Sequence, residues 1–246
     1  MSQFPGNSFG FPRRDSTLDY QSNADSALMA RFFNTVYAWM SAGLAITALV
    51  AWSVANSPSL QQWAVNRPAM IVAFIVEMGL VITISGAINR INAEVATALF
   101  MLYSAINGFV LSSVFLIYTG ASLAGTFVVT AGAFGVMSLY GYVTKRDLTR
   151  IGSLLFMALI GLVIASFVNL FWANSLLYWG ITYVGVLIFV GLTAFDTQRL
   201  RMVAAQTGGD PRLANRMAIV GSLMLYLDFI NLFLLLLRLM GNNRRD

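Results

Sequence analysis

The chain contains no cysteine and no histidine, and only 10% of its 246 residues are charged. Without cysteine there are no disulfides, thiolate zinc sites, iron–sulfur clusters or thiol nucleophiles. Without histidine there is no Ser-His-Asp triad, no imidazole metal ligand and no ordinary proton switch near neutral pH. A soluble domain carries roughly 25% Asp, Glu, Lys and Arg, so the charge here is less than half the norm. What fills the chain instead is apolar, with 58% hydrophobic residues. A soluble protein this apolar has too little polar surface to stay in solution, and disorder is excluded because there is ample surface to bury. The composition is that of an integral membrane protein whose proton chemistry runs on carboxylates.

A hydrocarbon core of ~30 Å takes ~20 helical residues to cross. Seven windows qualify: Phe32–Ala55, Pro68–Ile88, Val95–Tyr118, Ala121–Val143, Ile151–Trp172, Leu176–Phe195 and Met217–Met240. Their apolar runs are continuous, unlike the alternating strands of a barrel, and no internal repeat supports an inverted-repeat transporter. The expected fold class is an all-α membrane protein of seven helices. Residues 1–31, with Pro5, Pro12 and interspersed Gly, Asn and Ser, read as a mobile cytoplasmic tail. No apolar stretch follows Arg13 and Arg14, so this tail is no cleavable signal. Residues 32–240 form the membrane domain, and 241–246 a short C-terminal tail.

Lys and Arg set the orientation. With the N-terminus inside, eleven basic residues lie on the inner side and four, Arg67, Arg238, Arg244 and Arg245, on the outer. That bias favours N-inside. Arg244 and Arg245 fall outside if the last segment spans fully; a re-entrant last segment would return them to the cytoplasm. Seven full spans are the preferred reading.

Of ten acidic residues, only Glu77, Asp196 and Asp228 fall within the spans or at their edge. Glu77 lies near the middle of the second span and Asp228 at mid-depth in the last, while Asp196 ends the sixth apolar run toward the inner side. A carboxylate at helix centre costs ~2.5–3.5 kcal/mol on insertion scales, so each must find a partner, face water or take up a proton. In the last span Asp228, Asn231 and Arg238 share one stripe, with Leu, Phe and Met elsewhere. In the sixth, Tyr178, Thr182, Gly185, Asp196 and Arg199 share another. Polar stripes point into a bundle. Two acids on facing stripes would resist double ionisation and share a proton, which makes a pH sensor without histidine. The plainer alternative pairs Asp196 with Arg199 or Arg201 and gives Asp228 and Glu77 structural hydrogen bonds.

Small residues recur at helical spacing in Ser104, Gly108 and Ser112 and in Gly161 and Ala165, which is a helix-packing pattern. Phosphate-loop and dinucleotide fingerprints are absent. No Gly-x-Ser-x-Gly elbow or catalytic aspartate motif supports a hydrolase, so no enzyme activity is expected. The basic loop Thr144-Lys145-Arg146-Asp147 reads as a topology determinant touching lipid headgroups, with no role for nucleic acid.

The run Leu225-Tyr226-Leu227-Asp228-Phe229-Ile230-Asn231-Leu232-Phe233 resembles the C-terminal motif of the Bax-inhibitor (transmembrane Bax inhibitor motif) family. So does Gly191-Leu192-Thr193-Ala194-Phe195-Asp196-Thr197-Gln198. Gly108-Phe109-Val110-Leu111-Ser112-Ser113 and Tyr142-Val143-Thr144-Lys145-Arg146-Asp147-Leu148 are similar to its middle signatures. The likeness runs from about Arg31 to Gly241 and has the look of a bacterial inner-membrane member. It implies a last helix surrounded by the other six, and a pH-sensitive calcium leak, with protection from cell death in eukaryotes. It implies that Asp196 and Asp228 act as proton sensor and gate and receive Ca²⁺ weakly, and that the second-helix acid matches Glu77. Arg90 is the nearest candidate for an arginine that latches the pair in some members, although its placement departs from the family's. Some branches are linked instead to membrane proteases or other membrane partners, contacted through the basic loops and the N-terminal tail.

A Ca²⁺ site needs six to eight oxygens. Asp196, Asp228, Glu77 and Asn231 supply them incompletely, so transient occupancy along a pathway is expected and no resident cofactor. The expected function is therefore a proton-regulated cation leak across the bacterial inner membrane. The alternative is a non-transporting regulator of a membrane partner.

Overall fold

The computed structural model describes the backbone of residues 14–86 and 90–242, with side chains from residue 25 onward. The described residues form α1 (Arg14–Ala55), α2 (Pro58–Ala64), α3 (Arg67–Gly86), α4 (Ala93–Ile117), α5 (Gly120–Val143), α6 (Thr149–Trp172), α7 (Ser175–Gln206) and α8 (Pro211–Met240). All but α2 are long and apolar enough to cross a membrane, so each expected span is one helix. The short α2, opened by Pro58 at its first turn, lies in the first connection.

Two ends differ from the sequence reading. Helix α1 begins at Arg14, so residues 14–31 of the expected tail continue into the first span. No proline or glycine follows Pro12 before Gly43, so nothing in that stretch breaks the helix. Residues 1–13 of that tail and 243–246 at the other end lie outside the described residues. Helix α7 continues past Phe195 to Gln206, because loss of hydrophobicity is not loss of helix propensity. It stops where Gly208 and Gly209 take φ of 59° and 79°, a region suited to glycine. Asp210 then caps α8, accepting from the Arg212 and Leu213 amides at 2.8 and 3.4 Å.

Helix α8 is the most enclosed span: 61% of its most apolar stretch is buried, against 6% for α6. Its extensive contacts are with α1, α4, α5 and α7, while α3 leans on α4 and α6 on α7. Helix α8 runs unbroken for 30 residues, ~45 Å at the usual rise. Beyond it, Asn242 exchanges hydrogen bonds with the start of α5, accepting from the Thr119 amide at 3.2 Å and donating to Ser122 Oγ at 2.8 Å. That geometry fits a full seventh span and leaves no re-entrant turn.

Close helix approaches occur where side chains are smallest. A Cβ at Gly108 would lie 2.6 Å from the Thr47 carbonyl oxygen, so the Ser104–Gly108–Ser112 ladder seats α4 against α1. The Gly161–Ala165 pair does not pack in this way. Gly161 is exposed with nothing near it, because α6 meets α7 through a different face, where Gly152 lies on the Phe195 ring. Trp52, Trp63, Trp172 and Trp179 are exposed near helix ends, as an interfacial belt requires.

Candidate functional site

The α7–α8 pair is locked at two levels. Gly221 of α8 sits against Leu200 of α7, and Gly185 of α7 against Leu235 of α8. These contacts make the helices antiparallel and set their register, which places Asp228 about one turn from Asp196 along the shared axis, ~5 Å. Side chains tilt toward their own helix N-terminus. In antiparallel neighbours that tilt carries Asp196 and Asp228 toward each other, and their carboxyl groups are within hydrogen-bonding reach. Both are buried, at 9% and 5% exposure.

A carboxylate is an acceptor only, so two carboxyls bond directly only when one carries a proton. Among the described residues no N–H or hydroxyl donates to Asp228 Oδ2. The positive charge of Arg199, one turn along the same helix, also acts on Asp196. Arg201 turns away and donates to the Tyr142 carbonyl at 2.6 Å. Among the described residues Asp196 makes no ion pair with Arg199 or Arg201, and Arg199 acts on it only through its charge.

The segment carrying Asp196 is gripped on several sides. Gly141 of α5 would place a Cβ 2.1 Å from the Ala194 carbonyl oxygen, so only glycine allows that approach. Thr197 donates to the Thr193 carbonyl at 2.7 Å and meets Ser138 Oγ at 3.0 Å, and Ser138 in turn bonds Tyr37. Gln198 clamps the α5–α6 loop: its Oε1 accepts from the Leu148 amide at 2.8 Å and its Nε2 donates to the Arg146 carbonyl at 2.7 Å.

Asp196, Asp228 and Asn231 line one cavity of about 870 Å³ between α6, α7 and α8, with Met78 of α3 at its edge. It extends from Thr149 and Arg199 to Phe167 and Arg238. The acids therefore sit between an arginine at each end. Arg238 lies over the Tyr178 ring, 5.5 Å from its centre, and Asn231 donates to the Leu227 carbonyl at 2.8 Å. Among the described residues no three or more His, Cys, Asp or Glu converge as a metal site, so the pair alone is far from a closed Ca²⁺ cage.

Glu77 and Arg90 lie elsewhere. Glu77 is buried on α3, its Oε1 meets no donor among the described residues, and it acts electrostatically on Tyr103 and Tyr226. Arg90 lines a separate cavity with Arg212 and Arg216. The arginine facing the aspartate pair is Arg199.

A second polar layer around Tyr226 escaped the sequence reading. Thr47 donates to the Ser104 carbonyl at 2.8 Å, so the 2.6 Å contact with Tyr226 uses the tyrosine's proton. Asn107 donates to the Tyr103 hydroxyl at 3.2 Å. Residues two apart on a helix point ~200° apart, so this layer occupies the face of α8 opposite Asp228. Its signal was present as isolated polar residues inside apolar spans.

Comparison with known proteins agrees over nearly the whole chain. The family profile described as "Inhibitor of apoptosis-promoting Bax1" matches residues 29–245. The inner membrane protein YbhL of Escherichia coli K12 is 50% identical over 236 residues, covering 95% of this chain and 99% of the relative. An uncharacterized protein of Borreliella burgdorferi is 45% identical, covering 92% and 98%. An uncharacterized membrane protein of Streptococcus pyogenes serotype M6 is 37% identical, covering 87% and 93%. With seven membrane-spanning helices and this match, the chain belongs to the Bax inhibitor family of membrane proteins.

Proposed function

We propose that this protein carries a proton-regulated leak of cations, Ca²⁺ foremost, across the bacterial inner membrane, with its N-terminus and arginine-rich end in the cytoplasm. The observation that carries the reading is the Asp196–Asp228 contact in a cavity that runs along α6, α7 and α8. With one proton between them, the two carboxyls bridge α7 and α8. Without it, two unit charges ~4 Å apart repel by ~4 kcal/mol at an effective dielectric of 20. Arg199 offsets part of that repulsion on Asp196, leaving Asp228 as the acid in search of a cation. Loss of the proton would then loosen the α7–α8 contact and create a transient cation site together. Arg199 and Arg238 at the ends of the cavity oppose cation entry, which suits a slow leak more than a fast pore.

The test is Ca²⁺ flux into proteoliposomes at several pH values, with Asp228→Asn and Asp196→Asn beside wild type. Flux whose pH dependence disappears in both variants is the expected result. Absent flux, or a pH profile indifferent to both aspartates, would overturn the channel reading. The regulator of a membrane partner would then take its place, and crosslinking from the N-terminal tail should recover that partner.

A further inference from the structure

The arginine-rich end of the bundle holds a second cavity, of about 470 Å³, distinct from the one around the aspartates. Arg90 and Asn92 reach it from the α3–α4 connection, Glu94 from the first turn of α4, and Arg212, Asn215 and Arg216 from the first two turns of α8. Three arginines and one glutamate therefore contribute to the wall of a single concavity. Among the described residues none of the three guanidiniums has a hydrogen bond or ion pair. Arginines that merely fix topology extend separately into water. These come from segments more than a hundred residues apart in sequence and border the same cavity, with Arg90 and Arg212 exposed and Arg216 half-buried.

Guanidinium forks match the paired oxygens of phosphate and carboxylate groups, and a phosphate group has further oxygens to engage a second and third arginine. Arg90 and Arg216 flank the ends of the apolar runs of α3 and α8, the level at which spanning helices meet lipid headgroups. Basic pockets between spans at that depth are suited to phosphate-bearing headgroups. Asp210 already caps the start of α8 and Glu94 stands in the first turn of α4, so the arginines supply the positive charge here. We propose that Arg90, Arg212 and Arg216 form a binding site for a phosphate-bearing anion, supplied by an anionic phospholipid or by a soluble polyphosphate. The bilayer favours the lipid, because it presents phosphate at this depth continuously. Occupancy would tie the α3–α4 connection to the start of α8, the helix that carries Asp228.

The full-length protein in detergent, titrated with equal amounts of cardiolipin and phosphatidylcholine and read by native mass spectrometry, tests this directly. Wild type should retain cardiolipin preferentially, and R90Q/R212Q/R216Q should lose that preference by about tenfold or more. The single variant R216Q should lose more of it than R67Q, which removes the same charge at the opposite end, so the comparison survives poor folding of the triple variant. Pyrophosphate is the second arm. Cardiolipin preference that resists pyrophosphate identifies the lipid as the source; pyrophosphate bound in an arginine-dependent way without lipid preference identifies a soluble one. Equal retention of both probes by wild type, R216Q and R67Q would overturn the site.

Discussion

Gln198 of α7 holds the backbone of Leu148 through a 2.8 Å hydrogen bond, two residues beyond Asp196. Its amide also donates to the Arg146 carbonyl at 2.7 Å, so one side chain fastens the α5–α6 loop to the helix that carries the candidate gate. Movement of α7 at Asp196 must therefore carry the loop or break this clamp. Gln198→Ala leaves the buried Leu148 amide without its partner and should destabilise the protein by about 1–3 kcal/mol. Thermal unfolding in detergent would read that loss. A stability within error of wild type would show that the clamp is dispensable.

The approach of α5 to α7 rests on Gly141. An alanine there places its Cβ 2.1 Å from the Ala194 carbonyl oxygen, and a backbone atom cannot swing aside. Gly141→Ala should cost about 1–3 kcal/mol or more, as overpacking usually does. Gly125 lies on the same helix, exposed and with nothing near it. Gly125→Ala should leave stability unchanged or raise it by up to about 1 kcal/mol. The pair of melting temperatures separates a steric requirement from a general intolerance of change in α5.

Asp147 provides a pH-dependent local contact outside the spans. The Thr149 hydroxyl and amide both donate to it, the amide at 2.8 Å, and hold its carboxyl below the usual carboxylate range. A lowered acid stabilises the fold while ionised, so its contribution is present at neutral pH and is lost as pH falls through that lowered value. The first turn of α6 should exchange its amide hydrogens more slowly in wild type than in Asp147→Asn at neutral pH. The difference should vanish in acid. A difference that persists with the carboxyl protonated would assign the protection to another contact.

Much of this protein was legible in its sequence because membrane insertion reads local properties. The apolar run of each span was long enough to identify its helix. The three acids stood out because each is expensive in an apolar segment. The stripes containing Asp196 and Asp228 followed from helical phase alone. The end of α7 was less legible, since hydropathy reports where a helix leaves the apolar layer and not where it unwinds. The Gly161–Ala165 pair misled for a related reason. Small-residue spacing permits close packing, but only a neighbour on that face produces it.

The sequence by itself determined that the chain lives in a membrane, crosses it with seven helices and places carboxyl groups inside. Backbone groups in lipid must be satisfied within each helix, so length and apolarity decide the spans segment by segment. Tertiary structure alone decided which groups meet. The register set by Gly221 on Leu200 and Gly185 on Leu235 brings Asp196 to Asp228. The same packing puts Arg199 beside that pair and gathers Arg90 with Arg212 and Arg216 in another cavity. Such meetings depend on how helices distant in sequence slide and rotate against one another. No local pattern encodes that choice, because each helix could present the same stripe at many registers, and the packed side chains select one.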